Sequence, residues 1–249
     1  MPTGATLLGE FEEHSPAGIR ALLAAGVSPI EPINGKRPID VLIEMYLRSS
    51  RFAECLQVML DAEATLGDPL LPALLLDDDE VLCGLLSGSS ENLRRRLNPL
   101  CAFTSCRGVT ALHICAEFNS TRCARLLLDA GADVNAHADQ DESGLGGQTP
   151  VFHAVNSIFN YCRPVMEILV NAGADLDTRV RSLLWGESMS WETVVYDVTP
   201  ISYAQCGLYR QFHRREDDVY NNIALLHRKR FGSEPPTRNV PNKYLVKGH

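Results

Sequence analysis

Two short segments limit what this chain can fold into. Arg107-Gly-Val-Thr-Ala-Leu-His113 opens a stretch that closes with Ala130-Gly-Ala-Asp-Val-Asn135, and Gln148-Thr-Pro150 opens another that closes with Ala172-Gly-Ala-Asp-Leu-Asp177. A turn signal, a run of helix formers and a closing glycine that return in the same order describe a unit too small to bury its own apolar face. Such units are stable only when stacked.

The residues before each glycine extend the pattern. Arg20-Ala-Leu-Leu-Ala-Ala-Gly26, Arg125-Leu-Leu-Leu-Asp-Ala-Gly131 and Glu167-Ile-Leu-Val-Asn-Ala-Gly173 share one form, and Gln57-Val-Met-Leu-Asp-Ala-Glu63 repeats it without the glycine. Each reads as the end of an outer helix, where glycine supplies the left-handed C-terminal cap. At Glu63 that cap is expected to be strained or differently built.

The motif resembles the ankyrin repeat, a turn opened by a Thr-Pro-Leu-His signature and followed by two antiparallel helices. The resemblance implies an all-α solenoid of about six helix-turn-helix repeats in one domain over residues 1–232. Repeats in 1–106 are degenerate, those in 107–232 are well formed, and a basic extended tail covers 233–249. Inner and outer helices are expected near 38–48 and 51–62, with an inner helix at 70–76 and a last outer helix at 216–229. The segment from Glu91 to Cys106 reads as irregular. In this family the signature histidine, His113 here, is a structural hydrogen-bonding residue. His153 is shifted by one position and Ser202 replaces the histidine of the last unit, so neither inherits that role automatically. The finger after residue 178 and the segments that follow it resemble bacterial ankyrin-repeat proteins of unsettled activity.

Two insertions, 136–148 and 178–198, lengthen the fingers that join consecutive units. In the second, Val180-Arg-Ser-Leu-Leu-Trp185 and Trp191-Glu-Thr-Val-Val-Tyr196 are β-prone runs around Gly186, which predicts a long β-hairpin. Both tryptophans of the chain lie in it. They pack on each other, on the solenoid or on a partner, and buried aromatics are frequent at interface hot spots. The first insertion reads as a flexible acidic finger. Its Asp139-Gln-Asp-Glu-Ser-Gly144 opens like a calcium loop, but Pro150 stands where the closing glutamate belongs.

The candidate partner-binding residues are Asp139, Asp141, Glu142, Trp185, Glu187, Met189, Trp191 and Glu192, an aromatic centre ringed by acid. They suit a basic or mixed-charge protein. The net charge of −8 disfavours nucleic acid, which is bound by neutralising phosphates. The run Arg94-Arg-Arg96 reads as a solvated face.

The longest apolar patch, 69–76, is too short to span a bilayer, and no secretory signal is visible, so a cytoplasmic protein, monomeric by preference, is expected. The eight cysteines are scattered without a Cys-x-x-Cys pair and read as free thiols of a reducing compartment. A zinc site of His113, Cys115 and Cys101 or Cys106 is conceivable, but packing accounts better for those residues. Asp77-Asp-Asp-Glu80 reads as a helix cap rather than a metal cluster. No nucleophile elbow, phosphate loop, HExxH or GxGxxG motif occurs. Neither a cofactor nor catalysis is expected. The function implied is protein binding, with an inhibitor that blocks a basic enzyme as the alternative and a metal-dependent or cysteine-based hydrolase as the remote one.

Overall fold

The computed structural model describes residues 4–235, so most of the expected basic tail lies outside the described residues. About half of the chain is helical. The helices come in consecutive pairs: α1 (Gly4–Glu12) and α2 (Pro16–Ala24), α3 (Pro38–Glu44) and α4 (Phe52–Asp61), α5 (Leu70–Leu75) and α6 (Asp79–Gly88), α7 (Ala111–Phe118) and α8 (Thr121–Asp129), α9 (Pro150–Ala154) and α10 (Arg163–Asn171), α11 (Pro200–Gln205) and α12 (Glu216–Phe231). Odd-numbered helices pack on odd ones (α1 on α3, α5 on α7, α7 on α9, α9 on α11), and even on even (α2 on α4, α6 on α8, α8 on α10, α10 on α12). Two layers result. All eight residues of α7 are buried between its neighbours, whereas α8 buries only Cys123, Ala124 and Leu127.

Caps fix where the helices start. Proline opens α2, α3, α9 and α11, where its missing N–H has no partner to lose. Thr110 and His113 cap α7 reciprocally: the Thr110 amide donates to His113 Nδ1 at 3.2 Å. Thr199 and Ser202 form the same box on α11, with the Thr199 amide donating to Ser202 Oγ at 2.8 Å. Serine thus does locally what histidine does two units earlier. The aspartate run divides its work. Asp78 caps α6 by accepting from the Val81 amide, while Asp77 reaches the next unit and accepts from the Arg122 and Cys123 amides at the start of α8.

Glu63 takes the left-handed conformation, φ 66°, with the backbone bonds that Gly131 and Gly173 make at φ 86° and 91°. The cap is built in the same way, on a residue that pays strain for it.

The expected hairpin forms, with β1 (Val180–Trp185) and β2 (Thr193–Val198) antiparallel, so the structure as a whole is not all-α. Three expectations change. Trp185 pairs with Thr193, so β2 begins later than the sequence suggests and Trp191 belongs to the tip. Helix α3 stops at Glu44, and the following residues leave the helical path to carry Arg48 inward, where it is 2% exposed. Finally, the first insertion is not a free finger. Gly146 donates to the Ser182 carbonyl and the Ser182 hydroxyl to that of Gly144, tying it to β1.

The irregular segment before α7 has a definite task. Thr104 bridges to Trp185, the Ser105 amide donates to the Leu184 carbonyl, and the Gly186 amide donates to the Phe103 carbonyl. It is the hairpin's other neighbour.

Candidate protein-binding site

The hairpin is held down by its own aromatic residues. The Trp185 ring lies parallel to Phe212 at 3.9 Å between centroids and stacks on Phe103 at 6.0 Å. Only 2% of Trp185 is exposed, so it belongs to the core and not to a contact surface, which corrects its place among the candidate residues. Trp191 packs on Trp185 at 4.5 Å and is half-buried. Its ring closes over Gly186, where a Cβ would lie 2.0 Å from the indole. Indoles bury more area than other side chains, and here both are used against the protein's own fold.

Anchoring aims the tip across the stack toward the first helices. Glu187 pairs with Arg107 and accepts from the Ser105 hydroxyl. Met189 reaches a groove of about 240 Å3 whose other walls are Leu8, Ile33, Val41, Met45 and Tyr46. A second hollow, of about 230 Å3, continues it past Leu100, Cys101 and Cys106 to Glu187 and Ser188. Lys36 and Glu44, paired at 2.5 Å, line both. Tyr46 and Leu100 are 47% and 42% exposed, so apolar surface is open to solvent on this edge.

The remaining candidates divide by what their carboxylates do. Asp141 accepts from the Ser143 and Leu145 amides, and Glu192 accepts from the Ser188 amide; both close loops. Asp139 is exposed beside Gly108 and lines a hollow of about 160 Å3 at the base of the hairpin, together with Arg107, Gln140 and Leu183. Glu142 is exposed at the apex of its turn. The structure therefore brings Glu187 and Met189 together at the groove and leaves Asp139, Asp141 and Glu142 along a neighbouring edge. Lys36, Tyr46 and Leu100 carry no sequence signal for this place. The exposure of Tyr46 and Leu100 depends on the break in α3 and on the path of residues 98–101, neither of which has a local signature.

The arginine run is exposed to solvent, as its sequence suggests, with two of its members engaged locally. Arg95 pairs with Asp68 at 2.9 Å, and Arg96 donates to the Gly108 and His137 carbonyls.

Beneath the groove lies a buried polar cluster. Arg48 donates to Glu117 Oε1 at 3.3 Å and to the Met45 carbonyl at 2.6 Å, and sits over the Phe118 ring at 4.3 Å. Glu117 Oε2 accepts from His153 Nδ1 at 3.2 Å. Gln148 lies 3.4 Å from the other imidazole nitrogen. His113 Nε2 donates to the Gln148 carbonyl at 3.0 Å. Burial and then the neighbouring His153 hold His113 well below the usual histidine range. Arg214 is lowered to about 10 by burial.

Cys106, His153 and Glu117 resemble a nucleophile, base and acid in composition only. The thiol, at 3.9 Å, and the carboxylate, at 3.2 Å, both address Nδ1, whereas a relay needs them on opposite nitrogens. The zinc set does not assemble either. Cys115 lies near Cys123 and Asp77 rather than near Cys101 or Cys106. Among the described residues no helix is long and apolar enough to cross a membrane.

Residues 70–180 match the family model of ankyrin repeats, in three copies. Among solved structures, the ankyrin repeat domain of human ASB11 aligns with 93% of this chain and 84% of its own at 18% identity, with a TM-score of 0.38. Ankyrin repeats are general protein–protein interaction modules. The repeated caps, the paired helices and the matched segment identify residues 70–180 as ankyrin repeats.

Proposed function

We propose that this chain is a non-catalytic interaction module of about six repeats in one domain, and that it takes a protein partner in the groove between the hairpin tip and α3. The observation that carries this reading is the apolar edge of exposed Tyr46 and Leu100 and half-buried Met189, flanked by Glu44 and Glu187. Methionine adapts its shape to a guest side chain, and the Glu44–Lys36 and Glu187–Arg107 ion pairs beside it suit a mixed-charge segment. The tip is anchored before binding, which lowers the ordering cost of association. Glu192 and the outer face of Trp191 extend the contact at the tip, and Asp139, Asp141 and Glu142 extend it onto the neighbouring edge.

A more specific version makes the chain an inhibitor of a basic enzyme; the net charge of −8 favours it over a partner that is itself acidic. The test is affinity capture on the intact chain beside Met189→Asp, Tyr46→Ala and, as a control in the α9–α10 turn, Phe159→Ser. Loss of roughly tenfold or more in affinity with the first two and not the third is expected for residues at the centre of an interface. Equal capture by all four chains contradicts the groove.

A further inference from the structure

We propose that Cys101 and Cys106 are a redox-active thiol pair, converted to a disulfide by a hydroperoxide that enters through the hollow beneath the hairpin tip.

Both cysteines line that hollow of about 230 Å3, so a small oxidant reaches them without unfolding the stack. Four residues separate them, on the segment that pairs with β1. Their surroundings differ in a useful way. Cys101 Sγ receives Arg48 Nη2 at 3.6 Å and the Phe103 amide at 3.4 Å. Negative charge that develops on this sulfur has a cation and a backbone donor waiting for it, the setting of a reactive cysteine. Cys106 instead has its thiol 3.7 Å from the Thr104 carbonyl and 3.9 Å from His153 Nδ1, a nitrogen already engaged by Glu117 at 3.2 Å. The adjacent Cys101 and burial keep its thiol well above the ordinary range. Cys101 is thus the attacking sulfur and Cys106 the resolving one.

The chemistry balances. The Cys101 sulfur attacks one peroxide oxygen, the O–O bond breaks, and Cys101 becomes a sulfenic acid as water or an alcohol leaves. The Cys106 sulfur then attacks the sulfenic sulfur, the S–O bond breaks, and the departing hydroxide takes the Cys106 proton to leave as water. Two thiols are oxidised and one peroxide is reduced.

No other cysteine has this combination. Cys115 and Cys123 are also neighbours, but Asp77 stands beside them where Arg48 stands beside Cys101, and burial together with that carboxylate raises both thiols. Cys83 is exposed and lies apart from the cluster. The bridge would reshape the turn whose Phe103 carbonyl and Ser105 amide hold Gly186 and Leu184. Its formation is therefore expected to alter the emission of Trp185, 6.0 Å from Phe103.

The experiment treats the full-length reduced chain, as wild type and as Cys83→Ser to remove intermolecular coupling, with a small excess of hydrogen peroxide. Free thiols are then alkylated and the tryptic peptide 97–107, which carries both cysteines, is weighed. The expected result is a peptide lighter by two hydrogens and resistant to alkylation, formed at least fivefold faster than any bridge between Cys115 and Cys123, accompanied by a change in tryptophan emission and reversed by dithiothreitol. The proposal is overturned if both cysteines of that peptide are recovered alkylated after Cys83 has been oxidised, or if they are oxidised separately to sulfinic acids without bridging.

Discussion

The Arg48 guanidinium meets the Glu117 carboxylate at 3.3 Å in the interior of the stack, with side chains 1% and 3% exposed. Removing one ion strands the other in a low-dielectric interior, which typically costs about 3–5 kcal/mol, whereas replacing both with apolar residues of similar volume is often neutral. Arg48→Met is therefore expected to lower stability to urea by that amount. Adding Glu117→Leu should recover most of the loss. Additive losses in the double variant would show that the pair is not coupled.

Trp185 and Trp191 should separate cleanly. Trp185→Ala removes a fully packed indole and is expected to cost about 3–5 kcal/mol; the half-buried Trp191 should cost about 1–2 kcal/mol. Hydrogen exchange gives the companion result, since the Ser105 and Gly186 amides bond to Leu184 and Phe103 and should be protected like those of α7. Rapid exchange across 180–198 would mean that the hairpin is undocked.

At Glu63 the left-handed backbone at φ 66° carries a side chain where related caps carry glycine. The conformation costs an L-residue about 1–2 kcal/mol, partly offset by the greater entropy glycine loses on folding. Glu63→Gly is expected to raise stability by about 0.5–1 kcal/mol in thermal unfolding, with Glu63→Ala giving no such gain.

Two histidines make the fold acid-sensitive. His14 is lowered to about 4, first by burial and then by Arg48 and Arg51, and His113 is lowered in the same direction. Both remain neutral in the folded chain while the unfolded chain takes up protons below about 6.5. Stability is therefore fully present above that pH and falls as pH drops from about 6.5 toward 4, with a slope approaching about 2.7 kcal/mol per pH unit for the two together. Urea midpoints at pH 7.5 and 5.5 check this, and His14→Gln should flatten the difference.

The parts legible in the sequence were those set by short-range rules. The glycine caps, the Thr110–His113 box and the β-prone run 180–185 each carry their geometry in a few adjacent residues, and the matching elements formed there. What the sequence did not reveal depends on long-range contacts. Arg48 sits in a helical pattern, but its buried partner lies on α7. The turn at 101–106 has no periodicity because β1 supplies its hydrogen bonds. Trp185 reads as a contact residue because the hairpin is an insertion, and only Phe103 and Phe212, far away in sequence, show that its ring faces inward.

The central claim is that the partner sits at the hairpin tip. A photo-cross-linking residue placed at 189, and separately at 159, in otherwise intact chains tests it most directly in extract from the native cell. The account predicts one dominant adduct from position 189, suppressed by Tyr46→Ala and absent from position 159. An adduct from 159 with none from 189 would contradict it and move the interface away from the groove.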